Sequence, residues 1–465
     1  MNKKILLLNP PAEKRYIRDY YCSKSSKTNY IFEPIDLLML SGILSQDNDV
    51  YLCDAIVDRM KPEECLKKIV EISPDAIIWL SGIVSWPEDF RFMSLVRKKL
   101  NFISIVSGDI FLENSEDILK KNDFIDAILF DFTTDDIVKY LSHEYDNIYN
   151  IVFKLNGQVV KKEIRRAKRE EFILPVPRHE LFVNKRYRFP FVRHKPFATV
   201  LTDFGCPYKC LFCIIGVLGY KYRTVENVIE ELKYIKKLGA REIFFADQTW
   251  GAVRNRAVKI CDLMFEENLT FGWLCFTRVD CVDRELLELM KRAGCHTIIF
   301  GVESASEEIL KKYHKGYTRE QISKTFSLCR DIGIETVGTF IMGLPEETEE
   351  TFWDTVNFAK QIKCDYYSFN VAVPRPGTEL RKVVLETGLM DSAQQTMDQG
   401  GKFITMPTKT LTQKQVNKLM RKILFDFYFR PSYLFDRLKN IKSYYHLKTS
   451  IQQAFEILKT VIGAK

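Results

Sequence analysis

Three cysteines within one short segment, Cys206, Cys210 and Cys213, constrain this chain more than any other feature. They follow Thr202-Asp-Phe-Gly in a C-x3-C-x2-C spacing, directly behind the apolar run Phe197–Leu201, which reads as a buried strand. Cys thiolates are the usual ligands of iron–sulfur clusters, and three on one loop can hold three irons of a four-iron, four-sulfur cluster. The fourth iron is then open to a substrate or cofactor. A structural zinc site would close with four ligands. No fourth Cys follows at short spacing, and the nearest His, His194, lies before the strand. Chance spacing among twelve cysteines is the competing reading.

With the aromatic Phe212 immediately before the third cysteine, the segment resembles the signature of the radical S-adenosylmethionine (SAM) enzymes. That resemblance implies that the open iron chelates the amino and carboxylate groups of SAM. An electron from the cluster then cleaves SAM to a 5′-deoxyadenosyl radical. It also implies an external one-electron reductant of the flavodoxin or ferredoxin type as a partner.

A chain of 465 residues is too long for one ordinary core, so two or three domains are expected. With 46% hydrophobic and 28% charged residues it reads as soluble and globular. No eighteen apolar residues run uninterrupted, as a membrane span would need. The opening Met1–Asn9 has a charged start and a short apolar run, without a small-residue cleavage site before Pro10. It reads as a first strand, and the protein as cytoplasmic. The other nine cysteines, scattered along the chain, are then expected as mostly buried reduced thiols.

The expected fold class is α/β: an N-terminal doubly wound parallel sheet, then a partial (β/α)6 barrel and a C-terminal helical region. Over residues 1–145, strands are expected at Lys4–Leu8, Val50–Cys53, Ala76–Leu80, Ile103–Val106 and Ala127–Phe130, with helices such as Ile35–Leu44 and Pro62–Ile72 between them. Ligands of such sheets bind at the carboxyl ends of the strands. Asn9, Ser81, Ser107, Gly108 and Thr133 stand there, small enough to admit a large flat ligand and equally what any such fold uses to turn. With the opening Leu-Leu-Asn-Pro-Pro, this half resembles the cobalamin-binding domain that precedes the barrel in a large radical SAM subfamily. Cobalamin is therefore an expected cofactor. Two departures stand out. Ile56 occupies the place of the His that ligates cobalt in other cobalamin proteins, and Asp131-Phe-Thr-Thr134 replaces a Gly-Glu-Gly-Glu. A front domain kept only for substrate docking is the alternative.

Residues 146–195 read as a linker holding a hairpin around Asn156-Gly157. From 196 to 390, six strand–helix units follow, with strands at Thr199–Thr202, Glu242–Ala246, Trp273–Thr277, Thr297–Gly301, Thr336–Met342 and Tyr366–Val371. Barrel chemistry sits at the carboxyl ends of strands. Asp247, Arg278, Gly301-Val-Glu303 and Met342-Gly-Leu-Pro345 fall at those ends. Their order resembles the radical SAM barrel, which implies that Phe212, Asp247, Arg278, Gly301 and Glu303 contact SAM or line its site. Glu303 would meet its ribose or amino group, and Arg278 a carboxylate. An Arg278–Asp280 pair is the plain alternative.

Residues 391–465 turn basic and aromatic, notably in Phe425–Tyr433 and Tyr444-Tyr445. Such a segment either sits at a membrane interface or packs on the barrel with its cations in water. Its Phe-Tyr-x-Arg-Pro-Ser-Tyr pattern resembles the C-terminal region of family members that act on tetrapyrroles and hopanoid lipids. The substrate is accordingly expected to be a small or lipid-like molecule, with no nucleic acid. The reading is a cobalamin-dependent radical SAM enzyme that removes hydrogen from an unactivated carbon, most simply for methyl transfer. A cobalamin-free radical SAM cyclase or rearrangement enzyme and a plain iron–sulfur electron carrier are the competitors. The acid, base or radical-handling residues are not legible.

Overall fold

The computed structural model describes residues 2–26, 30–183, 186–391, 398 and 406–439, with positions 447, 451, 452, 454, 455 and 458 beyond them. Tyr444 and Tyr445 and most of the polar stretch 391–401 lie outside the described residues.

The front sheet has seven strands, in the order 49–54, 4–9, 76–80, 103–107, 127–129, 151–155, 158–161. The first five are parallel, and crossover helices cover them. Their runs are apolar on both faces because both faces are covered, as in Ala76–Leu80, where all five residues are buried. Helix Ile35–Leu44 is buried along its whole length, Asp36 and Ser41 included. The hairpin expected within the linker belongs to this sheet. Its strand Ile151–Leu155 pairs antiparallel with Ala127–Leu129, and Asn156 and Gly157 both take positive φ, at 52° and 78°. Val152 and Phe153 are fully buried there, so the hairpin has an apolar side that only a sheet edge can cover.

The second sheet holds Phe197–Val200, Glu242–Phe245, Gly272–Thr277, Cys295–Glu303, Glu335–Met342 and Tyr366–Val371, all parallel and in chain order. Successive strands pair and the first and sixth remain edges, which makes a partial barrel. The outer helices are amphipathic, and all but Arg254–Glu266 start on a side-chain cap. Asp283 accepts from Leu286 N at 2.8 Å to start Arg284–Arg292, whose Leu286, Leu287 and Met290 face inward. The two sheets share one apolar core through the segment after the first front strand and the segment before the barrel. Phe189 stacks on Phe244 at 4.3 Å and meets Phe32 edge-on.

Helix Gln413–Tyr428 covers the open edge at the sixth strand. Phe427 lies 4.4 Å from the Tyr367 ring and 5.1 Å from Phe369, and Tyr428 Oη donates to Tyr367 O at 2.7 Å. An uncovered edge strand is a template for aggregation, which gives this helix a structural purpose. Phe427→Ala should therefore destabilise the fold by roughly 3–5 kcal/mol, read by denaturant titration. A cost below about 1 kcal/mol would mean that the edge is covered without it. Among the described residues no helix is long and apolar enough to cross a membrane.

Candidate active site

The cysteine loop hangs from the carboxyl end of the first barrel strand. It is tied on three sides by backbone bonds: Cys206 N to Gly219 O at 2.9 Å, Leu211 N to Tyr313 O at 3.3 Å, and Leu380 N to Leu211 O at 3.0 Å. All three cysteines are free thiols of intermediate exposure. Burial raises the pKa of the Cys206 thiol and pushes that of Cys213 up to about 12, with the neighbouring thiols adding to the shift at Cys213. Iron would reverse this, since a coordinating thiol is deprotonated outright and its proton released. Among the described residues no three His, Cys, Asp or Glu side chains converge on a point that could hold a single ion. A four-iron cluster does not ask for that, because each thiolate meets its own iron.

Around the loop stand residues from the second, third and fourth strand ends. Cys206 Sγ lies 3.4 Å from Thr249 Oγ1. Arg278 Nη1 points at Cys210 Sγ from 3.8 Å, while its guanidinium rests 3.7 Å above the Tyr208 ring. The rest of that guanidinium holds Asp280 at 2.9 and 2.8 Å and donates to Lys315 O. Arg278 is thus paired with Asp280, and it braces the cysteine loop from inside the protein. Tyr208 Oη is 2.9 Å from Cys281 Sγ.

The fourth strand ends in a bulge at Gly301–Glu303, and Glu303 takes φ +66°. Its carboxylate turns back to meet Lys315 Nζ at 3.0 Å, with the two residues 9% and 5% exposed. Burial on its own would lower the Lys315 pKa, but the Glu303 carboxylate and, behind it, the Tyr317 and Cys210 side chains together hold the ammonium well above its ordinary value. Lys315 Nζ also faces the Phe212 ring at 5.7 Å, so the pair sits directly beside the cysteine loop. The glycine at 301 has its reason here. A Cβ would lie 2.5 Å from Glu303 Oε1, so Gly301 makes room for this carboxylate. Sequence reading missed Lys315. The available signal was that one strand–helix connection carries both an acid, Glu303, and a base, Lys315, at the mouth of the barrel.

Asp247 does not face the mouth. Its carboxylate is fully buried, accepting from Asp203 N at 3.0 Å and from the Thr202 hydroxyl at 2.6 Å, so it fixes the turn leading into the cysteine loop. Glu347 behaves similarly, accepting from Leu344 N at 2.9 Å to hold the Gly-Leu-Pro turn, and burial pushes its pKa up to about 8.

The strand ends of the front sheet are closed by the chain itself. Asn9 Nδ2 donates to Asp54 Oδ1 at 3.0 Å, while its Oδ1 accepts from Arg18 Nη1 at 2.8 Å. Arg18 forms a buried ion pair with Asp89, to which Ser81 Oγ also donates at 2.8 Å. Thr133 N donates to Asp131 Oδ1 at 2.8 Å, and Asp131 binds Lys221, in the short strand Tyr220–Arg223 after the cysteine loop, at 2.9 Å. Gly108, at φ 150°, lies so close to Ser81 O that a Cβ would sit 1.7 Å from it. Ser107 Oγ and Tyr21 Oη are buried without a hydrogen-bond partner. Tyr20 and Tyr21 pack on Phe132, and the Tyr20 hydroxyl accepts from Gly205 N beside the cysteine loop. Between Arg18, Tyr21, Ser81 and Ser107 a cavity of about 10 Å³ remains, room for one water. Of the five residues expected to admit a flat ligand, Asn9, Ser81 and Thr133 are therefore separately engaged and Ser107 and Gly108 are buried beneath residues 10–26. In this conformation they do not fit a corrinoid. Asp54 accepts from Tyr187 Oη at 2.9 Å and caps helix Ala55–Asp58, which carries Ile56 where a ligating His would stand.

The profile of the Radical SAM superfamily matches residues 201–359, the span from the cysteine loop through the fifth strand–helix unit. An uncharacterized methyltransferase of Pyrococcus horikoshii is 30% identical over 446 residues, covering 93% of this chain and 94% of the relative. Among solved structures, the cobalamin-dependent SAM radical enzyme OxsB, with aqua-cobalamin and SAM bound, aligns with a TM-score of 0.74 at 17% identity, over 99% of this chain and 72% of that one. The radical SAM methyltransferase TsrM of Kitasatospora setae, with cobalamin and an iron–sulfur cluster bound, aligns at 0.70 and 15% identity over the full length of both. At these identities the two structures speak to the fold, and the architecture of front sheet plus partial barrel is theirs.

Proposed function

The chain belongs to the radical SAM superfamily, and from that premise we propose that it is a methyltransferase working on a small or lipid-like substrate with a four-iron cluster, SAM and a corrinoid. The observation that carries this reading is the position of the three cysteines, on one loop at the carboxyl mouth of a six-stranded parallel sheet and beside the buried Glu303–Lys315 pair. When bound, the cluster supplies the electron that splits SAM and so permits hydrogen removal from an unactivated carbon, while a corrinoid supplies a methyl carrier.

The protein's own contribution is positional and electrostatic. Cys206, Cys210 and Cys213 would each hold one iron. Arg278 keeps the loop from moving, with its guanidinium against Cys210 Sγ and the Tyr208 ring. Lys315 offers an ammonium to the carboxylate of SAM, and Glu303 offers a carboxylate to its amino group or ribose hydroxyls. Phe212, against Tyr313 at 6.1 Å, keeps water from that side of the loop.

The corrinoid rests on the resemblance in fold and on the methyltransferase relative. With residues 10–26 closed over the front strand ends, loading needs that segment to move. The test is anaerobic reconstitution with iron, sulfide and hydroxocobalamin, followed by gel filtration. About four irons per chain are expected, with 5′-deoxyadenosine formed on adding SAM and reductant. Absence of the cluster would end the radical SAM reading. A retained corrinoid should show no nitrogen hyperfine coupling from a protein imidazole in its electron paramagnetic resonance spectrum, because Ile56 stands where the ligand would be. Such coupling would contradict this. A chain that forms 5′-deoxyadenosine yet retains no corrinoid would favour the second reading, a corrinoid-free enzyme, to which the closed strand ends point.

A further inference from the structure

We propose that the outer face of the C-terminal helices is a docking surface for an anionic lipid bilayer. Helix Gln413–Tyr428 turns Val416, Leu419, Met420, Ile423 and Phe427 toward the barrel. Along its exposed face run Lys414, Lys418, Arg421 and Phe425, spaced to lie in one stripe. Phe425 is 51% exposed and stacks on Phe429 at 5.3 Å, so two aromatic rings end the row of cations. In the next helix, Pro431–Lys439, Leu434 is 43% and Phe435 67% exposed.

Charge says what kind of surface these side chains suit. From Gln413 to the end, the chain carries eleven Lys and Arg against three Asp and Glu. The preceding residues carry as many acids as bases, so the net charge of +8 resides wholly in this region. Cations beside exposed aromatic and aliphatic side chains, on a helix anchored by its other face, make the pattern of a segment lying in a membrane interface. The cations would draw it to anionic headgroups, an attraction that salt screens. A nucleic acid would use the cations and stack on Phe, but has no use for Leu434.

The same helix gives the orientation. Val416 lies against the position of Gly343 at the mouth of the barrel, and Phe427 against Tyr367 near the start of the sixth strand. Phe425, Leu434 and Phe435 therefore lie toward the amino ends of the strands, away from the cysteine loop. The surface anchors the protein and does not feed the site. This inference does not depend on which substrate or methyl carrier the enzyme uses.

The test is co-sedimentation of the full chain with vesicles of phosphatidylcholine alone or mixed with phosphatidylglycerol. Binding is expected only to the mixed vesicles, and is expected to fall about tenfold when salt is raised severalfold. A Phe425→Ser/Phe435→Ser variant should lose binding about tenfold, with thermal unfolding and 5′-deoxyadenosine formation unchanged. A Lys418→Glu/Arg421→Glu variant should also lose it. No binding to either vesicle, equal binding to both, or a Ser variant that binds like the parent would overturn the proposal. So would a parent that forms a dimer which the Ser variant abolishes, or that prefers a single-stranded oligonucleotide to the mixed vesicles.

Discussion

Replacing Cys206, Cys210 and Cys213 together by Ala is expected to leave the protein folded, without a cluster and without measurable 5′-deoxyadenosine formation. The loop does not depend on its sulfurs for shape. It is held by the backbone bonds from Cys206, Leu211 and Leu380 and by the Arg278 guanidinium stacked on Tyr208. None of the three cysteines is fully buried, so little packing is lost on truncation. Iron ligation, by contrast, has no substitute on the loop, and among the described residues no other side-chain set could hold an ion. Iron and sulfide analysis after anaerobic reconstitution reads the result, with circular dichroism as the control for folding. A full iron complement in the triple variant would remove the cluster assignment, and with it the reading built around it.

The second large effect is expected at Glu303. Glu303→Ala leaves the Lys315 ammonium buried without its partner, and breaking such a pair costs roughly 3–5 kcal/mol of stability. Losing a charge-assisted hydrogen bond to SAM is worth about 1.5–3 kcal/mol, a ten- to hundredfold drop in affinity. The two effects can be separated. In a Glu303→Leu/Lys315→Met variant both charges are replaced by apolar groups of similar size, which is often neutral for stability. That variant should regain the stability of the parent and still bind SAM ten- to hundredfold more weakly, by about the amount above. Calorimetric titration of SAM into the reconstituted protein measures it. Parental affinity in the double apolar variant would make the pair a brace for the bulge and nothing more. The pH dependence has a definite sign. Because Glu303 holds Lys315 above the ordinary lysine value of 10.5, the pair's contribution through Lys315 is complete below that pH. It fades only as pH rises through the higher folded value, so assays near neutrality should not see it titrate.

Much of this architecture is written locally in the chain. Helices Ile35–Leu44, Pro62–Ile72 and Arg319–Ile332 and strands Ala76–Leu80 and Tyr366–Val371 have the bounds that their apolar periodicity and turn residues indicate. The reason is that repeat, cap and breaker act over one or two turns of backbone. The cysteine spacing belongs to the same class, since three ligands on one loop need no distant partner. What a side chain does at the mouth of a sheet is another matter, because its partner comes from elsewhere. Asp247 at a strand end could have faced a ligand, but the neighbouring strand brings the Thr202 and Asp203 backbone to it. Arg278 finds Asp280 two residues away, an outcome the sequence left open. The front strand ends show the limit most clearly. Asn9, Ser81, Ser107, Gly108 and Thr133 are small and polar enough for a ligand, and the sequence shows nothing lying over them. The cover, residues 10–26, holds no helix and only the two-residue strands Tyr16–Ile17 and Lys24–Ser25, and Tyr20 and Tyr21 adopt positive φ. Its hold comes from ion pairs and hydrogen bonds that join residues far apart in the chain, Arg18 to Asp89 across 71 positions and Arg375 to Ser23 O across 352. Spacing and periodicity are properties of neighbours, whereas the pairing of a buried charge is settled only when the whole chain has closed around it.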